Sequence, residues 1–199
     1  MPNIKILNRK NFIIFFFTLL ILNYLFFNYR ILLRENGYIL GDWVINYSAG
    51  FVKRALLGHL FYSFSIYSNI SIINIVFIFS SIIYITSIYW FYLIIKDRLD
   101  NDLIFIFILL PSTFLFSFFD PLTVGRKEVL VFFFFTFYYL NLNKIDLFLR
   151  YKLIAFILFI IIILTHELIF FFIPFLFILR FLHKKNAVKF KFGSYLLEF

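Results

Sequence analysis

LIAFILFIIIILTHELIFFFIPFLFILRFL, from Leu153 to Leu182, is the stretch whose reading decides the topology. Read as one helix, it is a single membrane span with the ionisable pair His166-Glu167 at its centre. Such a pair is costly in hydrocarbon and marks a functional site by default. Read as two helices, it is a hairpin with a polar turn at Thr165-His166-Glu167. Counting charge separates the two readings. A single span divides the 19 Lys and Arg residues 8 to the cytoplasmic side and 11 to the other, against the positive-inside rule. A turn at Thr165 to Glu167 returns Arg180, Lys184, Lys185, Lys189 and Lys191 to the cytoplasm, and the division becomes 13 to 6. The hairpin is the expectation. Its halves, Leu153 to Leu164 and Leu168 to Leu182, are short for spans and need a bundle interior or a thinned bilayer. Pro174 is then a kink in the returning helix.

The rest of the chain agrees with lipid as solvent. Of 199 residues, 64% are hydrophobic and 15% charged, with a mean hydropathy of +0.99. A soluble domain of this length cannot hide so much apolar side chain. The 35 Phe exceed what interfacial belts require and fit the codon usage of an AT-rich genome. Zero Cys excludes a disulfide framework, a thiolate metal site and a cysteine nucleophile. A net charge of +9 reports cytoplasmic loops rather than nucleic acid.

Apolar runs mark the other elements. Phe12 to Phe27 follows Lys5, Arg9 and Lys10 without a small-residue cleavage site, and reads as a retained first span with its N-terminus inside. Asn28 to Arg54 is a polar stretch, and Ala55 to Tyr67 an interfacial or partly embedded helix. Ile72 to Ile95 is long enough to span. Leu103 to Phe119 spans next, kinked at Pro111, and Val129 to Leu142 spans after it. The expected fold is all-α: a single polytopic transmembrane domain over residues 1–199, with about six spans and one interfacial helix.

This topology sends three polar clusters, 28–54, 120–128 and 165–167, to the extracytoplasmic face. Lys53-Arg54 and Arg126-Lys127 then stand near Asp42, Asp120, Glu128 and Glu167. Paired cations beside carboxylates and a His suit a pyrophosphate with an acid or base next to it. Plainer readings stand beside this one. Asp42-Trp43 also reads as an interfacial loop with an aromatic anchor, and Gly50 to Gly58 as a turn and short amphipathic helix. Arg126 to Glu128 also reads as a helix start with snorkelling side chains, and His166-Glu167 as a polar turn. His59 and His183 read as incidental. No HExxH or glycine-rich phosphate loop is present, and the one DxD triplet, Asp100-Asn101-Asp102, lies in the loop after Ile72 to Ile95, on the opposite face from these clusters, so neither a standard metal site nor a nucleotide site is expected among them.

The succession of GRKEVLVFFFF, a basic cytoplasmic turn and ILTHELIFF resembles bacterial O-antigen and exopolysaccharide polymerases, in which an Arg opens one helix and a His caps the next. The matching residues are Arg126 and His166. DWVINYSAGFVKRALLG resembles the signature loop of a branch of bacterial surface-polysaccharide membrane proteins. Its Asp42 is similar to the first-external-loop Asp of multispanning polyprenyl-phosphate-dependent glycosyltransferases. The resemblance covers about Asp42 to Phe181. It implies an integral protein of the bacterial cytoplasmic membrane acting on a polyprenyl-diphosphate-linked oligosaccharide, without cofactor, metal or nucleic acid. It implies Asp42, His166 and Glu167 as candidate acid or base, Arg54, Arg126 and Lys127 as diphosphate ligands, and Asp120 and Glu128 as orienting groups. Such proteins have about ten or more spans. Six therefore imply an N-terminal fragment or a split gene, the latter with a second polypeptide completing the fold. A non-enzymatic subunit, flippase or transporter fragment of the same systems is the alternative, although no internal repeat supports transport.

Overall fold

The computed structural model describes residues 2–33, 37–48, 50–52, 54–110 and 124–183, and every regular element among them is helical. In chain order these are α1 (Pro2–Leu33), α2 (Gly37–Val44), α3 (Leu56–Ser68), α4 (Ile72–Ile95), α5 (Asp102–Leu109), α6 (Glu128–Leu140), α7 (Leu142–Leu147) and α8 (Leu149–Thr165). A 3-10 segment, Glu167–Phe172, then leads into α9 over 173–183.

Two stretches are long and apolar enough to cross a membrane: Arg9–Leu33, with 25 residues, and Ile72–Arg98, with 27. At 1.5 Å per residue the first is about 37 Å long, beyond the roughly 30 Å of a hydrocarbon core. The expectation of about six spans is not met at that length among the described residues. α6 has 13 residues and α8 has 17, or about 20 Å and 26 Å. α5 stops at Leu109, and the rest of the expected Leu103 to Phe119 span, Pro111 included, lies outside the described residues.

α1 and α4 pack antiparallel. Phe17 meets Phe91 edge-on at 6.1 Å, Tyr24 stacks on Tyr84 at 3.8 Å, and Tyr29 meets Phe77 at 5.3 Å. As numbers rise along α1 they fall along α4. The Asn28 amide donates to Ser80 Oγ at 2.9 Å in the same interface, which satisfies polar atoms that would otherwise be orphaned there. At the far end of this pair, Arg9 bonds Asp102 at 2.6 Å and the Asp100 carbonyl at 3.2 Å. α6 packs along α4, with Trp90 against Phe133 and Phe137.

Two sequence readings are corrected here. Asn28 to Arg54, read as one polar stretch, is partly helical, because α1 runs on to Leu33 and α2 follows it. Trp43 is not an aromatic anchor at an interface. It is completely buried, with Phe61 and Phe79 about it. The segment read as interfacial is a helix, α3, and it packs against α2, α4 and α8.

The Leu153 to Leu182 run does break where the sequence turns polar. α8 ends at Thr165, and His166 is extended, with φ −151° and ψ 99°. The chain then comes back. Arg180 pairs with Asp146 at 2.6 Å, and His183 bonds Asn143 at 2.8 Å. Both partners lie on α7, just before α8 begins, so the end of α9 returns to the start of α8. His183, which read as incidental, is one of the groups that closes this hairpin.

Candidate functional site

Five of the charged or ionisable residues singled out in the sequence line one cavity of ≈ 140 Å³. They are Asp42, Arg54, Arg126, Glu128 and His166, with Ile39 as an apolar wall. Four parts of the chain converge to build it: α2, the 45–55 connection, the start of α6 and the end of α8.

α2 supplies Ile39 and Asp42. Its position is fixed by Trp43, whose indole N–H donates to the carbonyl oxygen of Gly125 at 2.5 Å. That bond joins α2 to the loop preceding α6. Gly125 has φ +84°, a left-handed conformation that glycine adopts without steric cost. A β-carbon there would also meet Asn28 Oδ1, so the Asn28 side chain lies directly behind the loop. Gly58 on α3 is a second close approach, because a β-carbon would collide with the carbonyl oxygens of Ile45 and Trp43.

Arg54 ends the 45–55 connection. Its φ of 71° is unusual for a residue with a side chain. Such conformations cost about 1–3 kcal/mol and persist only where the surroundings enforce them. Arg126 and Glu128 flank the start of α6, at the positive end of the helix dipole.

Lys127, between them, points elsewhere. It is completely buried and lies beneath the cavity, outside its lining. Its ammonium reaches Asp42 Oδ1 at 3.6 Å and donates to the carbonyl oxygens of Arg54 and Thr165, both at 3.3 Å. The Trp43 ring centroid lies 6.0 Å from it. Lys127 sits in the connection before α6, outside the two helices long and apolar enough to cross a membrane. Burial holds its pKa below the usual lysine value. The charge of Asp42, and more weakly that of Glu128, opposes the shift, while Arg54 adds to it. The sequence reading placed Lys127 with the diphosphate ligands; here its ammonium is committed to protein oxygens.

His166 caps α8 with its N–H on the Ile162 carbonyl at 2.6 Å. Only 7% of its surface is exposed, and neither ring nitrogen meets a hydrogen-bond partner among the described residues. A buried imidazole facing a polar cavity with both nitrogens unanswered is an acceptor and donor waiting for a ligand or water. Burial lowers its pKa below the ordinary 6.5. Glu128 and Asp42 pull it upward, and Lys127 and Arg54 push it further down. At neutral pH the ring is therefore uncharged and able to accept a proton.

Asp120 and the side chain of Glu167 lie outside the described residues. Among the described residues no cluster of His, Asp and Glu is arranged to hold a metal ion. The cavity thus offers two guanidinium groups, two carboxylates and a neutral imidazole, over a buried ammonium. Arg forks match phosphate oxygens two at a time, which gives the site a phosphate-binding character. The volume suits a phosphate or diphosphate group, well below the roughly 300 Å³ of pockets that enclose drug-sized ligands. Comparison with protein-family models, with curated proteins and with solved structures gives no match to this chain.

Proposed function

We propose that this chain is a membrane glycosyltransferase of the polysaccharide-polymerase type. It acts on a polyprenyl-diphosphate-linked glycan at the extracytoplasmic face of the bacterial cytoplasmic membrane. The observation that carries the reading is the convergence of Arg54, Arg126 and an unpartnered His166 on one small polar cavity, at the end of an apolar bundle. The N-terminus is cytoplasmic in this reading. α1, α4 and the shorter α6, α8 and α9 cross the membrane, and α5 enters it. The apolar side chains left outside the bundle, such as Phe15, Leu22, Ile82 and Phe156, face lipid.

In the reaction, an acceptor sugar hydroxyl attacks the anomeric carbon of the lipid-linked glycan. The new glycosidic C–O bond forms as the bond to the diphosphate breaks. The diphosphate leaves with the bonding electrons, and Arg54 and Arg126 stabilise the charge it gains. The hydroxyl proton passes to His166, whose neutral imidazole is free to take it. Asp42 and Glu128 hold the cations in place. The cavity admits the diphosphate, while the sugars lie outside it.

Replacing Arg126 with Ala in the native host tests the proposal. The expected result is surface glycan of one or a few repeat units. Glycan of normal length overturns it.

A further inference from the structure

We infer that Lys127 is a positioning residue: its ammonium ties together the three chain segments carrying Asp42, Arg54 and His166, and so sets the shape of the cavity without touching the ligand. The inference rests on the reading of that cavity as a phosphate-binding site.

An ammonium group has three N–H donors, and three acceptors surround this one. Each belongs to a different segment. Asp42 Oδ1 comes from α2, the Arg54 carbonyl from the 45–55 connection, and the Thr165 carbonyl from the last turn of α8. Each also adjoins or belongs to a cavity residue. Asp42 lines the cavity itself, the Arg54 carbonyl is part of the residue whose guanidinium group lines it, and Thr165 immediately precedes His166. Lys127 is the common partner, and it is completely buried below them.

Two of the three contacts also correct local defects. Arg54 is held at φ 71°, and the bond to its own carbonyl is one of the restraints that keep it there. The Thr165 carbonyl ends a helix, where carbonyl groups lack intrahelical partners and the dipole is negative. A buried cation at that point satisfies both. The face of Trp43 completes the enclosure, at 6.0 Å from the ammonium. The charged and titratable groups facing Lys127 are Asp42 from α2, Arg54 from the connection, Glu128 from α6 and His166 after α8. Its proton is held less firmly than that of an ordinary lysine, because burial opposes the charge. The restraint on the cavity is therefore released at a lower pH than for an exposed lysine.

The experiment is calorimetric titration of the full chain in lipid nanodiscs with inorganic pyrophosphate, between pH 7 and pH 10. Wild type, Arg126→Ala, Lys127→Met and Lys127→Arg are compared. Wild type binds, and Arg126→Ala binds at least tenfold more weakly. Lys127→Met keeps the unbranched stem of Lys127 as far as the ε-carbon without its ammonium, and also binds at least tenfold more weakly. Wild-type affinity falls on the alkaline side as Lys127 loses its proton. Lys127→Arg, which keeps its charge there, lacks that fall. Wild-type binding matched by Lys127→Met overturns the positioning role and leaves the site reading intact. No wild-type binding, or binding unaffected by Arg126→Ala, overturns the site reading itself. If Lys127→Met does not fold, an alkaline fall shared by wild type and Lys127→Arg overturns the positioning role.

Discussion

The indole N–H of Trp43 donates to the carbonyl oxygen of Gly125, and that single bond joins the helix bearing Asp42 to the loop bearing Arg126. The two residues are 82 positions apart, and both are buried. Trp43→Phe keeps an aromatic ring among Phe61 and Phe79 but leaves the Gly125 carbonyl unanswered. An orphaned buried acceptor costs about 1–3 kcal/mol. Thermal unfolding in detergent micelles is expected to show that loss. Trp90→Phe, which trims ring area against Phe133 and Phe137, is expected to cost less. Equal losses would show that the Gly125 bond contributes nothing.

Gly58 and Gly41 make a contrasting pair. At Gly58 a β-carbon would collide with backbone oxygens of Ile45 and Trp43, which cannot swing aside as a side chain can. Gly58→Ala therefore has to push α3 away from the end of α2. A cost of about 3 kcal/mol or more is expected, at the upper end for overpacked sites. At Gly41 nothing lies within 4 Å of the added atom. Since the position is helical, Gly41→Ala is expected to be neutral or stabilising by up to about 1 kcal/mol. Matching unfolding midpoints for the two variants would contradict this close approach.

The sequence already showed that the chain breaks at Thr165-His166, because charge distribution and the polar triplet pointed to the same place. It also made GRKE the opening of a helix and brought Asp42, Arg54, Arg126, Glu128 and His166 to one face. Lys127 was less readable. Arg126 and Lys127 are adjacent and chemically alike, yet one lines the cavity and the other is buried below it. Nothing in a dipeptide decides which side chain turns inward; the carbonyls of Arg54 and Thr165 do, from distant parts of the chain. α2 was missed for a different reason. Gly37 and Gly41 are poor helix formers, and the helix persists because Ile39 and Trp43 are buried on its inner side. The Asn28 contact with Ser80 was equally hidden, since both residues look like ordinary polar interruptions until α1 and α4 are paired.

His166 gives the acid side of the pH dependence. Its folded pKa lies below 6.5 because burial opposes the charged ring. Above that value both folded and unfolded chains hold it neutral, and it has no effect on stability. As pH falls through 6.5 the unfolded state takes up a proton that the folded state refuses, so stability declines. The decline ends below the depressed folded pKa. His166→Gln keeps a polar side chain of similar reach but does not titrate. Unfolding midpoints measured from pH 7.5 to pH 4.5 are expected to fall more steeply for wild type than for His166→Gln. Parallel curves would mean that the ring is solvated and not buried against the cavity.

The hairpin formed by α8 and α9 can be tested by cross-linking, since the chain contains no Cys of its own. His183 Nε2 lies 2.8 Å from Asn143 Oδ1, so the two side chains meet across 40 residues of sequence. Cysteines introduced together, Asn143→Cys with His183→Cys, are expected to be joined in membranes by a short bis-methanethiosulfonate reagent, which spans the extra distance that the longer native side chains cover. The product should migrate faster than its reduced form in denaturing gels, because the cross-link closes a loop. Asn143→Cys paired with Thr165→Cys is the control. α8 separates those positions by 17 residues of helix, about 26 Å, far beyond the reach of a short reagent. If Leu153 to Leu182 were one continuous helix, Asn143 and His183 would be further apart still. Neither pair would then cross-link, and the placement of His166 at a turn would fail with it.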